Sequence, residues 1–301
     1  MAINKDIREK IDGLKKQYDT LRDGKEALLD IVFEAELPEA VYNSNAIENS
    51  TLTIAETEKI LLNLEVSRDV SVREIFEAKN LAQVYSYIKS KVSIKTIDKE
   101  LILLLHKMLI GNIDESIAGR FRKQHEYVRV GTYVAPAPEH IEAMLNEALS
   151  SYSSNNNEYF LERIAKFHLD FEHVHPFNDG NGRIGRVLIN YQLMQMGFAP
   201  IIIRDKEKQI YYSSFGEYRD SKKAGTMESV LSSALMESLH KRITYLKGEK
   251  ITRLSDYAKA HELSSPVLLN KAKRQTIPAF REKGVWKIGE GFVYEDTNKN
   301  R

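Results

Sequence analysis

Apolar residues recur at three- and four-residue intervals through most of this chain. Ile3, Ile7, Ile11, Leu14, Tyr18 and Leu21 line one helix face, with Lys, Arg and Asp on the others. Residues 25–36 and 54–66 read as further helices, and Leu37-Pro38 is expected to break the chain between them. Helical spacing returns over 74–92 and 97–110, with Asn63, Ser93 and Gly111 as ends or interruptions. Residues 127–134 differ: they alternate, are rich in β-branched and aromatic side chains, and carry Gly131 near their middle. That pattern predicts a small β-hairpin. Ala135-Pro-Ala-Pro138 closes the hairpin, and Pro138 opens another helix. A polar loop at 150–157, an apolar-periodic helix at 160–174, a helix at 187–197 and a short apolar segment at 200–203 follow. Residues 211–245 are mostly helical.

The last fifty residues change character. From Lys250 to Arg301 there are eleven Lys/Arg and six Asp/Glu, a net of +5. Residues 254–263 read as one helix, 264–266 as a turn with an N-cap, and 267–274 as a second helix. Residues 277–280 and 285–288 flank Glu282-Lys-Gly284 as a hairpin. This order resembles a winged helix of the excisionase type. Arg274, Arg281, Lys283 and Lys287 with Trp286 suit DNA binding. A small protein-interaction or dimerisation module fits the same pattern equally well. The expected architecture is therefore mainly α, a helical bundle with a small β-hairpin. It has an N-terminal helical region over 1–95, a core over 96–246 and a small winged-helix-like domain over 250–301.

Composition narrows the function classes. Across 301 residues the net charge is +1 and 42% of residues are hydrophobic, so no global field points to nucleic acid or membrane. There is no cysteine, which excludes disulfides, thiolate metal sites and cysteine nucleophiles. The first residues form no apolar signal core, and no run approaches the ~20 apolar residues that span a bilayer. A soluble cytoplasmic protein with no membrane partner is the expectation.

The chemistry is concentrated in His175-Pro-Phe-Asn-Asp-Gly-Asn-Gly-Arg-Ile-Gly-Arg186. Gly180, Asn181 and Gly182 suit a backbone that exposes its N–H groups to an anion. The apolar run from Ile184 has helical spacing, which puts the glycine loop at a helix N-terminus, where the dipole favours negative charge. Arg183 and Arg186, three apart, share a side of the first turn and suit bidentate phosphate contact. His175 supplies a side chain that titrates near neutrality. His106 and His168 read as ordinary core histidines.

This run matches every specified position of the Fic signature, His-Pro-Phe-x-Asp/Glu-Gly-Asn-Gly-Arg-x-x-Arg, so residues 35–245 resemble the Fic family. The resemblance implies an enzyme that moves AMP from ATP to a protein hydroxyl. His175 would be the general base and Asp179 the Mg2+ ligand. Gly180 to Arg186, including Ile184 and Gly185, would form the phosphate cradle, with Arg183 and Arg186 gripping the β- and γ-phosphates. Phe177 would pack the loop onto the core, and Pro176 would fix the turn. The hairpin at 127–134 lies where the family carries a flap that docks a target protein by strand addition. Val130, Gly131, Thr132 and Tyr133 would border the nucleotide. Tyr211-Tyr212 matches a tyrosine pair beside the adenine in some relatives, although core aromatics explain it nearly as well. The family often dimerises, which leaves a homodimer open.

Ser44-Asn-Ala-Ile-Glu48-Asn49 matches the family's inhibitory pattern, Ser/Thr-x-x-x-Glu-Gly/Asn. The resemblance implies that Glu48 pairs with Arg186. An arginine held by a carboxylate is not free to hold a phosphate. Glu48 is then a brake, a hydrolytic base for AMP removal, or both.

Overall fold

The computed structural model describes residues 3–92, 96–131, 133–155 and 157–294. The chain divides into two compact units, residues through Ile7 with Glu36–Ser232, and Arg8–Ala35 with Ser233 onward. In chain order the helices are α1 (Lys5–Arg22), α2 (Glu26–Ile47), α3 (Ile54–Leu61), α4 (Val72–Lys91) and α5 (Lys99–Ile110). The strands β1 (Arg129–Val130) and β2 (Tyr133–Val134) then form an antiparallel hairpin, pairing Arg129 with Val134 and Val130 with Tyr133. A short 3-10 turn leads into α6 (Ile141–Ser154), followed by α7 (Phe160–Val174), α8 (Asn181–Gln195), α9 (Lys208–Ser221) and α10 (Gly225–Leu246).

Helix α8 is the axis of the first unit. Every residue from Arg183 to Leu193 is buried. A helix buried all round needs partners on every side. Helix α4 supplies Leu81, Val84, Tyr85 and Ile88, α5 supplies Leu101, Ile102 and Leu105, and α7 supplies Leu161, Ile164, Phe167 and Phe171. Asn80 ties α4 to the end of α5, donating from Nδ2 to the carbonyls of Leu109 (3.0 Å) and Gly111 (2.6 Å). Those carbonyls have no partner within their own helix, so one buried side chain caps them.

Four expectations are corrected. The chain does not break at Leu37-Pro38: α2 runs through Pro38 to Ile47. The turns after Pro38 bury Val41, Asn43, Ser44, Asn45, Ala46 and Ile47, and that packing outweighs the lost N–H. Helix α6 continues through Ser150 to Ser154 instead of ending in a polar loop, with the Ser153 hydroxyl bonded back to the Leu149 carbonyl at 2.9 Å. Helix α8 begins at Asn181, inside the glycine loop, and not at residue 187. The C-terminal hairpin is part of a three-stranded sheet.

That sheet belongs to the second unit. Strand β3 (Ile251–Arg253) pairs antiparallel with β5 (Val285–Gly289), which also pairs with β4 (Phe280–Glu282), giving the order β3-β5-β4. Helices α11 (Leu254–Ala260) and α12 (Ser265–Lys273) pack on it around Leu254, Tyr257, Leu268, Ala272, Ile277 and Ile288. Strand β3 escaped the periodicity argument because three residues are too few to show alternation.

Asn80→Ala should leave the buried Leu109 carbonyl and the half-buried Gly111 carbonyl without this donor and cost about 1–3 kcal/mol, read as a lower urea midpoint at unchanged m-value.

Candidate active site

The loop between α7 and α8 is held from both ends. Helix α7 closes at His175, whose backbone is left-handed with φ 47° and ψ 61°. Arg122, buried, fixes this turn: Nε donates to the His175 carbonyl (2.9 Å) and Nη2 to those of Val174 (3.3 Å) and Pro136 (2.8 Å). Its Nη1 donates to the Glu126 carbonyl at 3.0 Å, so one guanidinium joins the loop to the segments on both sides of the hairpin. Asn181 closes the loop from within, accepting from the Phe177 N–H (2.9 Å) and donating to the Phe177 carbonyl (2.8 Å). The Phe177 ring is fully buried and stacks on His106, with centroids 3.7 Å apart and planes 2° from parallel. His106 Nδ1 accepts from the Gly119 N–H at 3.0 Å, which leaves its other nitrogen to donate to the Asp179 carbonyl, also at 3.0 Å. His106 is thus a satisfied core histidine.

Two glycines of the loop have close neighbours where a side chain would begin. Gly180 caps α8 with φ 81°, and a Cβ there would press on Leu109 and Ile110 at 3.0 and 3.2 Å. A Cβ on Gly182 would collide with the Glu48 carboxylate. The Glu48 side chain therefore lies against the first turn of α8, where an anion is favoured.

The charged groups of the signature are all paired. Arg186 is 3% exposed and donates from Nη2 to Glu48 Oε1 and to the Ser44 carbonyl, both at 2.8 Å. Its Nε reaches the Ser44 hydroxyl at 3.0 Å, and Nη1 the Tyr211 hydroxyl at 3.4 Å. Burial works against its charge, but Glu48 and Tyr211 together outweigh that and raise its pKa. Arg183 holds Asp179 Oδ1 at 3.0 Å and Glu77 Oε1 at 3.2 Å. Arg73 bridges the same two carboxylates, 3.0 Å from Glu77 and also bonded to Asp179. Burial acts to raise the Asp179 carboxyl, but Arg183 and Arg73 prevail and hold it below its usual range.

His175 is neutral at physiological pH. Burial pushes its pKa down to about 4, against the Glu172 carbonyl, which favours the charged ring. Its Nδ1 lies 3.7 Å from the Glu172 carboxyl. Glu172 is almost fully buried, and its Oε1 has no hydrogen-bond partner. Burial first, and the Glu48 charge second, push it up to about 8, so it carries a proton at neutrality.

The structure brings Ser44, Glu48, His175 and Asp179–Arg186 into one site. Asn49, just past the end of α2, has φ 69°. Tyr211 is completely buried beneath Arg186 and bonded to His168 at 2.8 Å, while Tyr212 lies at the surface and donates to the Ile47 carbonyl at 2.7 Å. In the hairpin, Gly131 occupies the turn with φ 59°, and Tyr133 stacks on His173 with its hydroxyl 3.2 Å from Nδ1. Thr132 lies outside the described residues. Among the described residues no cluster of three His, Asp or Glu could hold a metal. Sequence reasoning missed Arg122, Arg73, Glu77 and Glu172. Arg73 and Glu77, four apart, resemble any solvated helix pair, and the others carry no spacing signal.

The Fic/DOC family profile matches residues 96–193. The chain is 31% identical over 216 residues to the protein adenylyltransferase Fic of Nematostella vectensis, covering 70% of this chain and 49% of that protein. It is 31% identical over 208 residues to the Aedes aegypti protein of the same name, covering 68% and 41%. A Fic-domain-containing signalling protein from Bacteroides thetaiotaomicron superposes with a TM-score of 0.71 at 26% identity, over 80% of this chain and 98% of that one. The chain belongs to the Fic family. It spans under half the length of the two curated relatives. No helix among the described residues is long and apolar enough to cross a membrane.

Glu172 gives the fold a pH signature. Its folded pKa, about 8, lies above the ordinary 4.5, so its stabilising contribution is complete below pH 4.5 and fades as pH rises through 8. Urea unfolding of wild type and Glu172→Gln at pH 5 to 8.5 should show wild type losing ground as pH rises, by at most about 1.4 kcal/mol per pH unit.

Proposed function

We propose that this chain is a protein adenylyltransferase, moving AMP from ATP to a Ser, Thr or Tyr hydroxyl of a target protein, this chain included, and that Glu48 restrains it. The observation that carries the reading is the buried Arg186, which faces a glycine-lined helix N-terminus and is held there by a carboxylate. The site fits a triphosphate because an anion already occupies the anion position. Glu48 lies against Gly182 and Arg186, where a phosphate would sit.

The chemistry follows from the residues in place. His175 is neutral and accepts the hydroxyl proton on Nε2, the nitrogen that Glu172 does not face. The hydroxyl oxygen attacks the α-phosphorus in line, the bond from that phosphorus to the bridging oxygen breaks, and pyrophosphate leaves. The N–H groups opening α8 and the guanidiniums of Arg183 and Arg186 take up the charge on the β- and γ-phosphates. Asp179 fits a divalent cation, since a guanidinium already stands in for one on its carboxylate. Mg2+ held there together with phosphate oxygens would neutralise the leaving group. The hairpin presents exposed Val134 and Tyr127 at its rim, which suits an extended target segment.

The C-terminal unit reads better as a winged-helix-like protein-interaction module than as a DNA reader. Arg281 is clasped by Glu237 through Nε (3.0 Å) and Nη2 (2.6 Å) and lies over the Trp286 ring, and Lys287 is paired with Glu282. Two of the basic groups expected to meet phosphates are thereby occupied.

Incubated with α-labelled ATP and Mg2+, Glu48→Gly should label protein at least about tenfold faster than wild type, since a charge-assisted pair of about 1.5–3 kcal/mol no longer competes with phosphate. Adding His175→Ala should abolish the label. Equal labelling by wild type and Glu48→Gly would sink the restraint by Glu48. A gel shift with a 20-base-pair duplex in 150 mM salt should show no complex at micromolar protein; a salt-sensitive shift would restore the DNA reading.

A further inference from the structure

Glu48 has a counterpart of opposite sign on α4. Arg73 projects from the first turn of that helix and is 58% exposed, yet its guanidinium reaches out of α4 to Asp179 in the α7–α8 loop. Its Nε is held at the same time by Glu77, one turn along. Glu77 turns its oxygen also to Arg183, and Arg183 returns to Asp179, closing a ring of two guanidiniums and two carboxylates. Three members of this ring are fixed. Arg183 is 4% exposed, Glu77 is mostly buried, and Asp179 is pinned by its bond to the Gly180 N–H. Arg73 is the one member with a solvent-exposed side chain and room to leave.

We propose that Arg73 is a resident counter-cation of Asp179, occupying the carboxylate oxygen that a divalent cation arriving with a nucleoside triphosphate would take, so that metal binding has to displace it. The inference rests on the proposed nucleotidyltransferase reading. Arg73 and a metal ion cannot share Oδ2, because each brings positive charge to the same lone pairs. On displacement Arg73 keeps its i, i+4 pair with Glu77, so the exchange leaves no charge stranded. Arg183 keeps Glu77 on Nη1 and Asp179 Oδ1 on Nη2, so the carboxylate stays oriented while its other oxygen is exchanged. The resting site is thus closed twice, by an anion where the phosphate goes and by a cation where the metal goes.

The test uses the full-length chain carrying Glu48→Gly, with binding of the ATP analogue AMP-PNP followed calorimetrically while MgCl2 is varied. Adding Arg73→Ala should lower the Mg2+ concentration for half-maximal binding about threefold, the range of an exposed ion pair, and leave affinity at saturating Mg2+ unchanged. Lys79→Ala removes the same charge from α4 without touching Asp179 and should leave the midpoint where it was; among the described residues Lys79 bonds to the Asn63 side chain. An unchanged or higher midpoint for Arg73→Ala, or an equal shift from Lys79→Ala, would overturn the proposal and leave the transferase reading standing. Absence of Mg2+-dependent AMP-PNP binding in every variant would overturn both.

Discussion

A guanidinium that is 3% exposed has to be compensated where it lies, and the site is organised around that requirement at Arg186. Helix α8 carries this charge into the middle of the first unit. The end of α2 answers it with the Ser44 hydroxyl and carbonyl and the Glu48 carboxylate. The bond that satisfies the fold also sets a carboxylate against the first turn of α8. Another anion in its place would compensate Arg186 in the same way.

The same economy of charge runs through the neighbouring groups. Arg183, Glu77, Asp179 and Arg73 neutralise one another in sequence, while Glu172, short of any cation of its own, keeps its proton. His175 stays uncharged between a buried arginine and a protonated acid. His175 is thus neutral, Asp179 is ionised and the arginines are paired. Burial sets the first, and the α4 and α8 guanidiniums set the second.

Much of this was legible in the chain. His175, Asp179, Gly180, Gly182, Arg183 and Arg186 stand within twelve residues, because a loop running into a helix N-terminus brings neighbours in sequence onto one anion. Ser44 and Glu48 could be picked out because they match the family's Ser/Thr-x-x-x-Glu-Gly/Asn pattern, whose spacing puts both on one helix face. Arg122, Arg73, Glu77 and Glu172 were not legible. Arg122 acts through four residues spread from 126 to 175, and nothing in its local sequence marks a buried arginine. Pro38 misled because local propensity predicts a break that burial of the following turns overrides.

What the sequence determined by itself is what short-range backbone geometry dictates: the periodic helices, the hairpin around Gly131, and the glycine loop with its signature charges. The tertiary structure decided which charges meet. It placed Glu48 on Arg186 from 138 residues away and Arg73 on Asp179 from 106. Ion pairing depends on distance through space and on burial, and neither is a property of spacing along the chain.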